Sequence, residues 1–594
     1  MSATDAATSV TTMLDAFRQG LERQPDDVLV RTKDDGVSWT WREVDARRRA
    51  AAAGLASLGV ARGDSVGLLL SNRPEFFPLD LGATSLGAVP VSLYQTSSPE
   101  QIAYIVGDAE IAVVVTEQAF VDRVLAAQQL APGLRHVVVV DGDAPDGAMT
   151  LAAVEADADA GFDVDAQAAA LRPDDLLTLI YTSGTTGPPK GVELTHRNLI
   201  AAMDSIGRVA KLQQGGRVIS WLPAAHIAER GAHYYAPLLF GLEITCCPDP
   251  KQISAYLAAV HPTWFFAVPR IWEKLKSGLE AMLASQPDER REQVQGAIDA
   301  ARRKVALEQA GEPVPEELAA AVAAADEQVF APLRGMLGLD RAESINVGAA
   351  PTPREVIEFF HAIGLPIAEI WGMSEGCACG TLNPPDRIKI GTVGPVVPGM
   401  EIKLDEDGEV LLKGPTIMRG YRNLPEKTRE SFTDDGWFRT GDVGTLDEDG
   451  YLTIVDRKKE LIINAAGKNM SPANIEAAIK SAHPLIGQVA VIGDARPYNV
   501  ALIVLDADFT PPWAAANGIE GDLEALAEDP RVREEIQKGV DAGNAKLSRV
   551  EQVKRFEIVR GDWLPGGDEL TPTMKLKRKP IDAKYASEID ALYA

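Results

Sequence analysis

Short apolar runs of four to six residues recur at close intervals through the first half of this chain, and they limit its possible folds more than any other feature. SVGLLL (65–70), the runs at 89–93 and 112–115, LLTLIY (176–181), and the runs at 218–222, 243–247 and 265–268 are continuous rather than alternating. A strand buried on both faces reads this way, because neither face needs polar residues. Between them lie stretches with helical spacing, such as the Ala- and Arg-rich 44–58. Strands alternating with helices predict an α/β architecture of layered, mostly parallel sheets. At 275–339 the texture changes to Ala, Glu, Gln and Arg, with a Gly- and Pro-containing break at 311–315. That stretch predicts a helical insertion of two helices, read from its composition as a solvated hairpin without chemistry. From Gly391 onward, Gly and Asp turns punctuate short runs, and 405–414 and 447–456 predict β-hairpins. The charged run Arg457, Lys458, Lys459, Glu460 marks an expected boundary. The expected division is a large multi-lobed domain over 1–455 and a small mobile α+β domain over 456–594.

A chain of 594 residues is too long for one core, so several lobes are expected. Its 86 acidic against 59 basic residues give a net charge of −27. A field of that sign repels phosphate backbones and anionic membranes, which excludes nucleic acid as a broad partner but not a local basic site for a nucleotide. Four cysteines make no disulfide framework, and Cys377 and Cys379, one residue apart, offer no zinc-site spacing. Residues 1–20 carry Asp5 and Asp15 and lack the pattern of a secretory signal, and no run reaches the roughly 18 apolar residues of a membrane span. The expectation is a cytoplasmic protein, with peripheral contact at the inner face of the membrane left open. Oligomeric state leaves no mark in the sequence.

The segment with the most chemistry is YTSGTTGPPKG (181–191), which follows the run at 176–181. Gly184 and Gly187 lack a Cβ, so their backbone N–H groups can approach an anion closely. Thr182, Ser183, Thr185 and Thr186 add hydroxyls and Lys190 adds a positive charge, a set suited to a polyphosphate. No Walker A pattern occurs. Thr195 is placed to cap a following helix.

This loop resembles the signature of the adenylate-forming superfamily of acyl-CoA synthetases, peptide-synthetase adenylation domains and luciferases. Further segments resemble that superfamily's motifs in the same order along nearly the whole chain. NVGAAPT (346–352) resembles the loop beside the adenine and the substrate carboxyl, a role that falls to Gly348, Ala349 and Ala350. WGMSEG (371–376) resembles the adenine and metal motif, although the superfamily more often has Tyr and Thr where Trp371 and Ser374 stand. The resemblance implies that Trp371, Gly372 and Met373 pack on the adenine, that Ser374 lies by the phosphates, and that Glu375 binds Mg²⁺ together with Thr182. Thr186 is implied in catalysis. In GWFRTGDVG (436–444), Asp442 resembles the acceptor of the ribose hydroxyls, and Arg457 the second ribose contact. Asp456 or Lys459 resembles the hinge of the small domain. LTPTMKLKR (570–578) resembles the C-terminal lysine motif and points to Lys575 over Lys577, with Met574 where glycine is usual. His226 in WLPAAHIAER (221–230) matches a histidine near the reacting carboxyl, and PTWFFAVPRIWEK (262–274) looks like the long-chain branch. Read without the resemblance, the small-residue turn at 346–352, Asp442, the charged runs and the lone histidine are all ordinary structural features.

The resemblance implies a long-chain fatty-acid–CoA ligase that uses ATP, Mg²⁺ and CoA and passes through an acyl-adenylate. Three alternatives stand beside it: an acyl-AMP ligase that loads a carrier protein, a non-catalytic acyl or nucleotide sensor, and a serine hydrolase. The last rests on GMSEG (372–376), which fits G-x-S-x-G. That motif needs a long helix after the serine, and Gly380 with Pro384 and Pro385 argues against one.

Overall fold

The computed structural model describes residues 10–182, 188–463 and 469–594. The apolar runs form strands within a residue or two of their expected bounds, and they assemble into layered sheets. In the largest sheet, Ser65–Leu69 lies between Val89–Ser92 and Val113–Thr116, all three parallel. Strand β1 (Leu176–Thr182) extends it in parallel beside Val89–Ser92. Val66, Leu68, Val113, Val115, Val89 and Val91 are all buried, which is why these segments read as unbroken apolar runs.

The chain departs from expectation directly after β1. The phosphate-type loop does not lead straight into a helix; strand β2 (Lys190–Thr195) returns antiparallel along β1. Helix His196–Ala210 follows, and Thr195 caps it in a reciprocal box with Asn198. Thr182 and Lys190, on either side of 183–187, are thus paired across the two strands.

Two more sheets complete the large lobe. One contains Arg217–Ser220 and Glu243–Cys246 in parallel. The other aligns Trp264–Ala267, Ser344–Val347 and Ile367–Trp371 in parallel. Between the first two of these last strands runs the helical segment. Helix α1 (Pro269–Ala284) is followed by Asp288–Ala310 and Glu316–Ala325, then a π-turn and Ala331–Leu337. The break at 311–315 is present, with Gly311 left-handed, but a second break at 285–287 and the π-turn at Asp326–Phe330 raise the expected two helices to four. Nor is the segment simply solvated: Trp272, Leu275, Leu279, Val294, Ile298 and Phe330 are buried against the main core.

Strand β3 (Ile367–Trp371) leads to the acidic motif. Short strand β4 (Gly420–Tyr421) pairs antiparallel with β2. The expected hairpins at 405–414 and 447–456 both form, in one antiparallel sheet with β5 (Phe438–Leu446) and β6 (Leu452–Arg457). Beyond β6 a separate apolar cluster runs from Ile462 to Ile558. Helix α2 (Pro472–Lys480) packs there on Ile486–Ile492, Asn499–Leu505 and Val553–Val559. All four cysteines are buried free thiols. No helix among the described residues is long and apolar enough to cross a membrane.

Candidate active site

β5 and β6 pair antiparallel with Asp442 opposite Arg457. Asp442 Oδ1 accepts the Arg457 Nε at 2.8 Å, and its Oδ2 accepts the indole N–H of Trp371 from the end of β3, also at 2.8 Å. Asp442 is buried, and burial pushes its carboxyl above the ordinary aspartate range while Arg457 and Trp371 oppose that rise. Both oxygens are thus oriented by protein donors. Trp371 is therefore more than an aromatic surface: it fixes the carboxylate.

The turn after β3 depends on glycine. A Cβ on Gly372 would lie 2.1 Å from the Ala378 carbonyl oxygen. Met373 and Ser374 are nearly buried, and Ser374–Gly376 forms a single 3₁₀ turn. Cys377 and Ala378, both left-handed, end it, and the chain enters strand Thr381–Leu382. No helix follows Ser374 and its own φ is not positive, so the strand–elbow–helix of a hydrolase nucleophile is not built here.

Glu375 accepts the Tyr421 hydroxyl on Oε1 at 2.7 Å, and its carbonyl accepts Met418 N–H at 2.8 Å. The ring of Tyr421 receives the Lys190 ammonium 4.0 Å from its centre. Burial lowers the Lys190 pKa below the ordinary lysine range, and Glu375 opposes that shift. Lys190, Glu375 and β4 thus form one node at the mouth of the hairpin, where Thr182 ends β1 and its hydroxyl reaches the Lys190 carbonyl at 3.5 Å. Ser183, Gly184, Thr185, Thr186 and Gly187 lie outside the described residues. Tyr421 was not singled out in the sequence, where it is one aromatic in RGYRN (419–423) with no mark of its long-range partner.

Gly348 is also required by close packing, since a Cβ would meet Ile370 atoms at 2.7 Å. Ala349 is left-handed at φ 71° and Ala350 is exposed.

His226 caps a short helical turn, and its Nδ1 accepts the Ala228 N–H at 3.2 Å. Burial, and then the Lys575 charge, push its pKa down to about 4. It is a neutral imidazole at physiological pH with its proton on Nε2.

Lys575 enters from the small domain. Its ammonium lies in electrostatic range of Arg457, Asp442, Glu460 and Glu375, and crowding by protein lowers its pKa although the residue keeps solvent contact. Lys577 is turned elsewhere, its Nζ held at 2.8 Å by the Gly567 carbonyl. The turn that presents Lys575 is closed by Thr571 N–H to the Lys575 carbonyl at 2.8 Å and by Lys575 N–H to the Thr571 hydroxyl at 3.0 Å. Met574 sits in that turn at φ 64°, a conformation that costs a non-glycine residue about 1–2 kcal/mol. We expect Met574→Gly to retain adenylate formation. Met574→Val, whose branched Cβ tolerates this φ worst, is expected to lose about tenfold; ATP–pyrophosphate exchange measures both.

Asp456 joins the two lobes. Its Oδ2 accepts the Ser471 hydroxyl at 2.5 Å and Ala473 N–H at 3.2 Å, which caps α2. Lys459 lies exposed in the turn that follows β6. Lys190 is surrounded by the charges of Lys459, Lys427 and Arg457. In a chain of net charge −27 this is a local positive basin of the kind a polyphosphate needs.

Family models for the AMP-binding enzyme and for the AMP-binding enzyme C-terminal domain match residues 17–422 and 459–594. The chain is 51% identical over 434 residues to a putative fatty-acid–CoA ligase, fadD11, of Mycobacterium tuberculosis, covering 73% of this chain and 76% of the relative. It is 37% identical over 582 residues to the long-chain-fatty-acid–CoA ligase FadD15 of the same organism, covering 96% and 95%. Its fold matches the adenylation domain of a carboxylate reductase from Mycobacterium chelonae with a TM-score of 0.77 at 21% identity, covering 100% and 92%. With both models matched over most of its length, and with Tyr421 linking Lys190 to the acidic turn and Trp371 linking that turn's strand to the Asp442–Arg457 pair, this chain belongs to the AMP-binding enzyme family.

Proposed function

We propose that the chain activates a long-chain fatty acid with ATP as an acyl-adenylate, releasing pyrophosphate, and then transfers the acyl group to CoA, releasing AMP. One observation carries this reading. Lys575, from the last 20 residues, stands among Glu375, Asp442, Arg457 and His226, which come from three other regions of the sequence. A cation, an acidic turn, a polar ribose-type pair and a neutral imidazole gathered at one cleft fit adenylyl transfer.

In the first step a carboxylate oxygen attacks the α-phosphorus of ATP, and the bond to the bridging oxygen breaks with its electron pair leaving on pyrophosphate. Such transfers depend on positioning and charge stabilisation. Lys575 stabilises charge on the α-phosphate. Lys190 and the 183–187 loop, Thr186 included, bind the outer phosphates. Asp442 and Arg457 hold the ribose; Trp371, Gly372 and Met373 with Gly348, Ala349 and Ala350 enclose the adenine, and Ser374 lies by the phosphates. His226, neutral and with its Nε2–H free of the capping bond, orients the carboxylate. Glu375 and Thr182 offer the all-oxygen donor set that Mg²⁺ requires, with Oε1 of Glu375 already fixed by Tyr421. The bound ion would supply neutralisation of phosphate charge. In the second step the CoA sulfur attacks the acyl carbon, a C–S bond forms, the C–O bond to AMP breaks, and the thiol proton is lost to solvent. The small domain, over 456–594, withdraws Lys575 for this step by turning about Asp456 or Lys459. Four buried free thiols support a cytoplasmic setting.

The test is a reaction with ATP, Mg²⁺, CoA and a ladder of straight-chain acids, read by mass spectrometry. Acyl-CoA with AMP, peaking at long chains, is the expected result. Acyl-AMP without acyl-CoA would move the acceptor to a carrier protein, and absence of AMP would leave only a sensor.

Trp371 gives a finer test of the ribose contact. Trp371→Phe keeps the ring and removes the N–H that orients Asp442. A hydrogen bond to a charged group is worth about 1.5–3 kcal/mol, so KM for ATP should rise at least about tenfold. Discrimination against 2′-deoxy-ATP should fall with it; unchanged discrimination would remove Trp371 from that role.

A further inference from the structure

Helix α1 buries Trp272, Leu275 and Leu279 in the main core and turns Arg270, Glu273 and Lys274 outward. These three, at i, i+3 and i+4, share one face. Each meets an opposite charge on the small domain. Arg270 pairs with Asp506 and Lys274 with Asp508, while Glu273 lies 3.6 Å from Lys480 of α2. Asp506 is buried, and its Oδ1 also accepts the N–H groups of Asp508 and Phe509 at 2.9 and 3.0 Å. Beside this face Glu355 meets Lys546 at 2.6 Å.

We infer that this face of α1 is a docking plate that holds the small domain in the adenylate-forming arrangement, so that Arg270, Glu273 and Lys274 are positioning residues acting through Lys575. The inference rests on the reading that Lys575 serves the first half-reaction. The order plus, minus, plus on α1 faces minus, plus, minus on the small domain, and a shifted or turned domain would bring like charges together. Complementarity of this kind sets register more than affinity. The Lys274–Asp508 pair is exposed and weak because water competes for it, and the more enclosed Arg270–Asp506 and Glu273–Lys480 groups regain water when the domain leaves, which offsets the loss of each pair. That suits a contact made and broken once per turnover. It also gives the helical insertion a function at its first helix.

The experiment reverses the Lys274–Asp508 pair in the full-length protein and follows the half-reactions separately. Lys274→Asp places two carboxylates face to face and is expected to slow ATP–pyrophosphate exchange about tenfold. Thioester formation from supplied acyl-adenylate stays within about twofold or rises. Adding Asp508→Lys restores exchange to within about threefold. Arg270→Ala, which leaves Asp506 without its partner, changes the two half-reactions in the same unequal way. Exchange unaffected by Lys274→Asp, equal loss of both half-reactions, or a double reversal that rescues nothing would each overturn the inference. Failure of the underlying reading looks different, because the unaltered protein would then show no ATP–pyrophosphate exchange.

Discussion

Lys575→Ala should lower ATP–pyrophosphate exchange by about 10²–10³, the cost of removing a donor that stabilises charge only in the transition state. The position of the side chain explains why nothing substitutes for it. Arg457 is committed to Asp442 at 2.8 Å, Lys190 stands over the Tyr421 ring, and Lys577 is bound to the Gly567 carbonyl. Thioester formation from supplied acyl-adenylate should stay within about threefold if, as proposed, Lys575 is withdrawn when the thiol attacks. Lys577→Ala should favour neither half-reaction: its bond to the Gly567 carbonyl supports the loop, so a loss of stability without a change in the ratio of half-reactions is expected. Equal loss of both steps in Lys575→Ala would remove it from the adenylation role.

The sequence made the strands legible because burial on both faces leaves so strong a mark: Val113, Val114 and Val115 have no solvent-facing side to confuse the pattern. It hid β2, since the alternation of 190–195 follows the Pro188–Pro189 pair so closely that the loop and strand merge. In the helical insertion the Ala-rich texture runs through the break at 285–287 and the π-turn at Asp326–Phe330, so four helices read as two. The motifs pointed, by type and order, to residues that the fold brings near one another. Their pairings escaped because the partners are far apart in sequence: Trp371 reaches Asp442 across 71 positions and Tyr421 reaches Glu375 across 46. The first turns of α1, within 262–274, carried no sign in the sequence of a partner for their charges. Those charges are paired with the small domain, a fact carried by the three-dimensional register of two lobes and by no local pattern.

Those interdomain pairs matter only if the small domain turns, and the turn must be taken up between β6 and α2. Lys458 is held on the large lobe by its N–H to the Gly441 carbonyl at 2.8 Å and by its ammonium to Glu409 at 3.0 Å. Asp456 is tied to Ser471 and Ala473 of the small domain. A rotation at Lys459, whose side chain is exposed, would keep the Lys458 contacts on the large lobe and open the Asp456 bonds to Ser471 and Ala473. Lys459→Ala should therefore leave both half-reactions within about threefold. Lys459→Pro fixes φ near −65° and strains Lys458, whose neighbours close the turn through Glu460 N–H and Leu461 N–H to the Arg457 carbonyl at 2.9 and 3.1 Å. Some loss of exchange is expected from that strain. The larger loss is expected in the thioester step if Lys459 is the residue whose φ changes as the small domain turns. A penalty of about 3 kcal/mol corresponds to about 10² in rate. Stopped-flow measurement of thioester formation from supplied acyl-adenylate, set against ATP–pyrophosphate exchange in the same variant, separates the two. If both fall alike the pivot is not Lys459 but lies nearer Asp456, and the Lys458 bonds to the Gly441 carbonyl and Glu409 must break instead.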